Sequence, residues 1–190
     1  MKLQKILQGL EPLEVHADLS REITGIAYDS RAVKPGNLFV AICGYDTDGH
    51  KYIPMALEKG AACVLCEKAP AEGGYVLLSD TRRGLALAGA NWYGNPAGEM
   101  TMIGITGTNG KTTTTYLVKH ILEDCLGAKV GLVGTIQNMI GDEVLHTERT
   151  TPESLELQAL FRHMADAGCT HVVMEVSSHA LCLHRVDGVT

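Results

Sequence analysis

Hydrophobic and polar positions form two patterns along the chain: short apolar runs and longer amphipathic stretches. The short runs, which are typical of strands, are Ile23–Ala27, Leu38–Ile42, Ala61–Cys66, Tyr75–Leu78, Met102–Thr106, Lys129–Val133 and His171–Val176. The stretches typical of helices are Met1–Leu10, Lys51–Lys59, Thr81–Tyr93, Lys111–Leu126 and Ser154–Ala167. Continuous apolar strands that alternate with helices predict an α/β fold in which parallel sheets are covered on both faces.

A cluster of residues that interrupt helices and strands, Asn95–Gly98, separates these elements into two series. The pattern therefore predicts two α/β domains, residues 1–98 and residues 99–190. The second series reaches Thr190 with a sheet of about four strands and no sign of a terminal element. We therefore expect either a fragment of a longer protein or an unusually short relative.

Turn and cap residues refine these predictions. Thr135–Ile140 and Glu143–His146 flank Gly141-Asp142, which favours a hairpin, although Gly-Asp is a weaker turn signal than Asp-Gly. Ser79 or Asp80 is expected to cap the helix that begins at Thr81.

Composition and charge exclude several classes of protein. The chain has 190 residues, 45% of them hydrophobic and 20% charged, which is ordinary for a globular protein. Its formal net charge is −6 and it has no basic run, so a nucleic-acid partner is not expected. No apolar stretch approaches the roughly 20 residues of a membrane helix, so no membrane partner is expected either. We expect a monomer.

The six cysteines indicate a reducing compartment. The N-terminal apolar run is interrupted by polar residues and does not form a signal peptide, so reduced thiols and a cytoplasmic location are predicted. Cys63 and Cys66 form a CxxC pattern, but they lie within a predicted buried strand and have no second pair at zinc spacing. We interpret them as a buried structural pair.

The strongest chemical signal is a glycine-rich turn, Gly104–Thr113, between an apolar strand and a long helix. This is the context of a P-loop, in which backbone N–H groups and a helix N-terminus bind phosphate. Lys111 would reach the β- and γ-phosphates, and Thr112 would place its hydroxyl on Mg²⁺. The general pattern has glycine where this chain has Ile105, and a purely structural glycine turn is the alternative.

The segment Gly107–Thr113 resembles the ATP loop of the Mur ligase and folylpolyglutamate synthetase superfamily, whose pattern is G-T-N-G-K-[ST]. The resemblance explains Ile105. It implies an ATP site with Lys111 as the catalytic residue. The ATP-binding residues would be Gly107, Thr108, Asn109, Gly110, Lys111, Thr112 and Thr113.

Further segments narrow the resemblance. Asp29–Ala41 and Asp48–Ile53 resemble the N-terminal uridine-nucleotide segment of Mur ligases. Thr150–Glu153 and Met174–Leu181 resemble the MurE branch of that family, the UDP-N-acetylmuramoyl-tripeptide synthetases. The implied architecture is a small N-terminal α/β uridine-nucleotide domain followed by a truncated P-loop parallel-sheet ATPase domain.

The resemblance implies two uridine contacts, with Ser30 on the uracil or ribose and Tyr28 packing on the base. Tyr45, Asp46 and Thr47 belong to a loop that meets the nucleotide in the resembling enzymes and are weaker candidates. From the residues alone, the segment that begins at Asp29 also fits a simple Asx turn.

Thr150 and Thr151 are implied as contacts to the sugar-peptide substrate. The same residues also fit a helix start, with Thr151 as N-cap, Pro152 at the first helical position and capping-box spacing from Thr150 to Glu153.

Glu175 ends an apolar strand, a usual place for a Mg²⁺ ligand beside a P-loop, so Thr112 and Glu175 form the predicted metal site. Ser177 and Arg185 match substrate-binding positions of the family. Leu183 stands where family members often have glutamine. His179 fits either a ligand or a hydrogen-bonded structural histidine.

The resemblance implies an ATP-dependent amide ligase of peptidoglycan synthesis. ATP would phosphorylate the D-Glu carboxylate of UDP-N-acetylmuramoyl-L-Ala-D-Glu, and a diamino acid, meso-diaminopimelate or L-lysine, would attack the acyl phosphate. The family's carbamylated lysine, a further metal-binding histidine and the amino-acid-binding domain would lie beyond Thr190. Two alternatives stay open: a nucleotide-binding fragment without ligase activity and an unrelated P-loop phosphotransferase.

Overall fold

The structure is a computed structural model that describes residues 1–44, 47–147 and 149–189. It divides into two compact units, Met1–Trp92 and Tyr93–Thr190, each with its own five-stranded sheet. The domain boundary suggested by the sequence lies slightly later, after Gly98, and the assignment of a function to each unit remains a prediction.

The first unit is a mixed α/β layer structure. Its helices are α1 (Leu3–Ile6), α2 (Ile53–Glu58) and α3 (Thr81–Trp92), and its strands are β1 (Glu14–His16), β2 (Gly25–Ala27), β3 (Asn37–Val40), β4 (Cys63–Cys66) and β5 (Tyr75–Leu77). A 3₁₀ turn, Gly49–Tyr52, precedes α2. The strand order is β1-β5-β4-β3-β2, and every pair is parallel except β1 with β5. The predicted parallel strands are confirmed, whereas β1 was not predicted because all three of its residues are exposed.

The centre of the first unit is mostly apolar, with Asn37 as a buried polar residue at the start of β3. Every residue of β3 and β4 is buried, as expected for parallel strands covered on both faces. Phe39 and Val64 form a core with Ile53 and Ala56 of α2. Asp80 caps α3 by accepting hydrogen bonds from the backbone N–H groups of Arg82 and Arg83.

The CxxC cysteines are confirmed as buried. Both thiols are fully enclosed within β4. Burial raises the pKa of Cys63 to about 12 and that of Cys66 to about 11, because a thiolate loses its hydration there. Both thiols are therefore poor nucleophiles at neutral pH, as expected for buried structural cysteines.

The second unit contains the glycine-rich turn. Its strands are β6 (Thr101–Ile105), β7 (Val130–Val133), β8 (Asn138–Ile140), β9 (Glu143–Leu145) and β10 (His171–Glu175), and its helices are α4 (Lys111–Leu126), α5 (Ser154–Asp166) and α6 (Ser178–Cys182). A 3₁₀ turn, Pro96–Glu99, precedes β6. The strand order is β6-β10-β7-β8-β9. β6, β10 and β7 are parallel, and β8 and β9 form the predicted hairpin.

Residues at alternate positions of β10 make different contacts. Val172 and Met174 pack in one core with Leu157 and Phe161 of α5. Glu175, of the opposite parity, contacts the N-terminal turn of α4 instead. Because β6 and β10 are parallel neighbours with Glu175 opposite Ile105, the glycine-rich turn and Glu175 meet at one edge of the sheet.

Two local predictions are wrong. The strand predicted from Thr135 begins at Asn138, which leaves Thr135 in the β7–β8 loop. The predicted N-cap at Thr151 is also displaced, because Glu153 is the N-cap of α5 and accepts a hydrogen bond from the N–H of Ser154. Thr151 instead donates its hydroxyl to the carbonyl of Glu175, a long-range contact that no local pattern contains.

The longest of the described helices, α4, is unusual in its burial. It buries Thr115 and Lys119, whose ammonium group pairs with Glu123, and it exposes Leu117 and Ile121. Within the described ranges, no helix has both the length and the apolar character needed to cross a bilayer.

Candidate functional site

The loop between β6 and α4 is shaped by glycine. Gly107 and Gly110 have φ angles of +146° and +81°, a region that other residues adopt at a cost. Gly110 precedes the first residue of α4 and provides no side-chain cap. Among the described residues, the backbone N–H groups of residues 107–111 donate no hydrogen bond. A turn with uncommitted N–H groups at a helix N-terminus is suited to binding phosphate.

Lys111 lies over this loop. It is the first residue of α4, and its Nζ donates a hydrogen bond to the carbonyl of Gly107 at 2.7 Å. A flexible ammonium group held across the mouth of the loop can move to a phosphate oxygen without a change of backbone.

Glu175 is a buried carboxylate directly beside the loop. Its exposed fraction is 1%, and the Thr112 hydroxyl lies 3.0 and 3.1 Å from its two oxygens. In the described part of the chain Glu175 forms no ion pair, so its negative charge meets neutral donors alone. A buried carboxylate without a counter-charge is costly, and a bound cation would offset that cost.

The donor set fits Mg²⁺ better than a transition metal. The described residues contain no group of three or more His, Cys, Asp or Glu side chains suited to a metal ion. Mg²⁺ is commonly held by one or two carboxylates together with phosphate oxygens and water. Thr112 and Glu175 supply hard oxygen donors of that kind, so the residues present fit Mg²⁺ bound with a nucleotide.

Sequence reasoning missed Thr135 as a site residue. Its backbone N–H donates to Glu175 Oε1 at 2.9 Å, and its hydroxyl lies 3.2 Å from Oε2. The predicted strand begins at Thr135, so the prediction places this residue in the strand that is β8 in the structure. A usable signal existed, since Thr135 follows strand β7, and the carboxyl ends of neighbouring parallel strands meet at one edge.

The two predicted substrate threonines have different environments. Thr150 is half-buried, and its hydroxyl lies 3.0 Å from that of Thr135. Thr151 has an exposed fraction of 1% and accepts a hydrogen bond from the N–H of Ser177 in addition to its bond to Glu175. Thr151 thus fixes the backbone around the carboxylate, and its role as a substrate contact remains a prediction.

Ser177 and Arg185 lie beyond the end of β10. Ser177 is the N-cap of α6, and its Oγ accepts a hydrogen bond from the N–H of Ala180. Arg185 donates to the carbonyl of Thr151 at 3.2 Å and lies 3.3 Å from the Glu153 carboxylate. His179 is exposed, and its ring forms no hydrogen bond with the described residues.

The first unit carries the other predicted site residues. Tyr28 and Ser30 follow β2, Ser30 being buried and Tyr28 partly buried. The Asx turn is present, since Asp29 accepts from the N–H of Arg31, and the Arg31 side chain holds the pKa of that carboxyl below its usual range. Thr47 is exposed, while Tyr45 and Asp46 lie outside the described residues.

The structure therefore brings one set of residues into a connected cluster at the edge of the second sheet. Contacts join Thr112, Thr135, Thr150, Thr151, Glu175, Ser177 and Arg185. The predicted nucleotide loop, with Lys111, borders this cluster through Thr112.

Comparisons with known families decide the assignment. Residues 22–88 match the Mur ligase family catalytic domain, and residues 105–190 match the Mur ligase middle domain. The chain belongs to the Mur ligase family. The resemblance predicted from the ATP loop and the uridine segment is confirmed.

Individual Mur ligases are similar over the whole chain. The UDP-N-acetylmuramoyl-L-alanyl-D-glutamate–2,6-diaminopimelate ligase of Clostridium botulinum is 51% identical and that of Clostridium tetani 47%, each over 100% of this chain. The chain spans 40% of the length of each of these relatives.

Solved Mur ligase structures share the fold. A structure of a ligase with that same name has a TM-score of 0.82 and 28% identity, and the match covers 99% of this chain and 38% of that one. MurF of Thermotoga maritima in complex with ADP has a TM-score of 0.54 and 24% identity, and the match covers 83% of this chain and 32% of that one.

Proposed function

We propose that the chain supplies the nucleotide and substrate sites of an ATP-dependent amide ligase of peptidoglycan precursor synthesis, of the MurE type. The observation that carries the proposal is the contact between Thr112, at the start of the P-loop helix, and the buried carboxylate of Glu175. This contact places a carboxylate that fits Mg²⁺ beside a phosphate-binding loop, in a member of the Mur ligase family.

The proposed reaction has two steps. The terminal D-Glu carboxylate of UDP-N-acetylmuramoyl-L-Ala-D-Glu attacks the γ-phosphorus of ATP, and ADP leaves as the acyl phosphate forms. The amine of a diamino acid then attacks the acyl carbon, inorganic phosphate leaves, and the amide nitrogen loses a proton. Both steps depend on positioning and on neutralisation of charge more than on covalent chemistry by the protein.

Each residue has a role that its position supports. Lys111 neutralises charge on the transferring phosphoryl group, and the N–H groups of residues 107–111 hold the phosphates. Thr112 and Glu175 would hold Mg²⁺, which would supply further charge neutralisation when bound. Tyr28 and Ser30, in the first unit, would contact the uridine.

Three residues of the cluster are proposed as contacts to the sugar-peptide substrate. Thr150 is half-buried, with its hydroxyl close to the metal-site carboxylate through Thr135. Ser177 follows Glu175 closely in the chain and donates its N–H to the Thr151 hydroxyl, while Arg185 donates to the carbonyl of Thr151. The guanidinium group of Arg185 suits a diphosphate or carboxylate, and it is held in place by Glu153.

The curated relatives are named for 2,6-diaminopimelate, which supports that diamino acid over L-lysine as the acceptor. An unrelated phosphotransferase is disfavoured, because it has no reason to carry a first unit that matches a Mur ligase domain. We also propose the predicted cytoplasmic location, in which the six cysteines are reduced thiols.

Mass spectrometry of the product tests the proposal. The protein that contains this chain at its natural length is incubated with ATP, Mg²⁺ and UDP-N-acetylmuramoyl-L-Ala-D-Glu, with either diaminopimelate or L-lysine. We expect UDP-N-acetylmuramoyl-tripeptide and ADP in equal amounts with diaminopimelate. ATP consumption without any tripeptide, in the incubation with diaminopimelate and in the incubation with L-lysine, would contradict the ligase assignment.

A further inference from the structure

The carboxylate of Glu175 is held from two opposite parts of the sheet edge. Thr112 approaches it from the start of α4, and Thr135 approaches it from the β7–β8 loop. Thr112 is proposed above as a metal ligand, whereas Thr135 has no role in the proposed function.

Thr135 makes two of the contacts to this carboxylate. Its N–H donates to Oε1 at 2.9 Å and its hydroxyl lies 3.2 Å from Oε2, so each carboxylate oxygen has a partner on the same residue. Two-point contact fixes the plane of a carboxylate as well as its position. Rotation of Glu175 about its last torsion would break both bonds.

The preceding residue makes this approach possible. A Cβ atom at Gly134 would lie 2.7 Å from Glu175 Oε1, closer than non-bonded atoms normally come. Glycine at this position lets the loop backbone lie against the carboxylate. The chain is therefore built to bring Thr135 to Glu175.

The direction of the hydroxyl bonds follows from a count of hydrogens. Thr135 has one hydroxyl hydrogen and two acceptors within reach, Glu175 Oε2 and Thr150 Oγ1, the latter at 3.0 Å. A carboxylate is the stronger acceptor. Thr135 therefore donates to Glu175 and accepts from Thr150, which forms a chain of hydroxyls from Thr150 to the carboxylate.

We propose that Thr135 is a positioning residue for the metal site: it orients Glu175 for the cation and connects it to Thr150 on the substrate side. The inference rests on the proposed function, in which Glu175 and Thr112 hold Mg²⁺. Partners that orient a metal ligand typically change metal affinity or activity about 10–100-fold when they are removed. The loss expected on removal of the Thr135 hydroxyl is about tenfold, because its backbone contact to Oε1 persists.

The test uses the full-length ligase and Mn²⁺ as a probe for the Mg²⁺ site, with its affinity measured by electron paramagnetic resonance in the presence of a non-hydrolysable ATP analogue. Thr135→Val keeps the branched shape and removes the hydroxyl, and Thr135→Ser restores it. We expect the Mn²⁺ dissociation constant to rise about tenfold in the valine variant and to return to within about threefold of wild type in the serine variant. Thr101→Val, on the exposed start of β6, is the matched control and should bind Mn²⁺ as wild type does.

A second readout separates positioning from a general loss of structure. Affinity for the ATP analogue without metal should be the same in all variants, and the Mg²⁺ concentration for half-maximal rate should rise in the valine variant alone. Wild-type Mn²⁺ affinity in a folded Thr135→Val protein would overturn the role of Thr135 and leave the proposed function intact. Absence of Mn²⁺ binding in the wild-type protein would overturn the metal site itself, and this inference with it.

Discussion

At the residue scale, the buried hydroxyl of Ser30 has hydrogen-bonding capacity that a ligand could use. Its hydroxyl is buried after β2, and its hydrogen-bond partner among the described residues is the thioether sulfur of Met55, at 3.5 Å. Sulfur is a weak acceptor, so the hydroxyl retains capacity for an oxygen or nitrogen acceptor on a ligand. This supports the predicted contact to the uridine.

We expect Ser30→Ala to weaken binding of UDP-N-acetylmuramoyl-L-Ala-D-Glu by the full-length protein about tenfold, the value of one hydrogen bond of about 1.4 kcal/mol. Calorimetric titration measures this. Ser20→Ala, which removes an exposed hydroxyl bonded to Asp18, is the control and should leave the affinity unchanged. Equal affinity in the two variants would remove Ser30 from the uridine site.

Residues with local motifs were predictable, and residues defined by long-range contacts were not. Lys111 and Thr112 follow from the glycine-rich turn, and Glu175 follows from its place at a strand end. The position of Thr151 was misjudged because its spacing suits an N-cap, whereas its hydroxyl bonds to Glu175, far along the chain. Thr135 was missed because its importance arises from the neighbouring strand.

At the scale of elements, α3 offers a direct test of capping. The sequence left Ser79 and Asp80 as candidates, and the structure selects Asp80, which accepts from two backbone N–H groups at 2.8 and 3.0 Å. We expect Asp80→Ala to lower the free energy of unfolding by about 1 kcal/mol, the usual value of an N-cap. Urea unfolding followed by circular dichroism measures the change.

Ser79→Ala is the matched control for this measurement, since Ser79 is exposed and makes no capping bond in the described structure. Its effect should stay within about 0.5 kcal/mol, as for most surface substitutions. A larger loss from Ser79→Ala than from Asp80→Ala would show that the cap has been assigned to the wrong residue.

Long elements with a strong hydrophobic periodicity were predicted well from the sequence, and short elements were missed. The predicted helix Lys111–Leu126 has the same bounds in the structure, because glycines lie immediately before and after it. The three-residue strand β1 and the five-residue helix α6 were missed, since neither is long enough to show a period. Both depend on tertiary neighbours, β1 on its pairing with β5 and α6 on its cap at Ser177.

At the scale of the molecule, the chain spans 40% of the length of its curated relatives. We expect the 190 residues by themselves to form no amide bond, because the resemblance places the amino-acid-binding domain outside them. Without a bound acceptor, the second step loses a proximity advantage of up to roughly 7–11 kcal/mol. The product assay described above, applied to this chain, measures this, and tripeptide formed at an enzymatic rate would contradict the expectation.

The central claim is that the second unit binds ATP through the loop that Lys111 covers. The most direct measurement is calorimetric titration of the chain with ATP and Mg²⁺, for the wild type, for Lys111→Ala and for Lys5→Ala, a change on the exposed face of α1. We predict saturable binding by the wild type and by Lys5→Ala, and an affinity at least about tenfold lower for Lys111→Ala, because a charge-assisted contact to phosphate is lost. Equal affinity of Lys111→Ala and wild type, or no binding by either, would contradict the account.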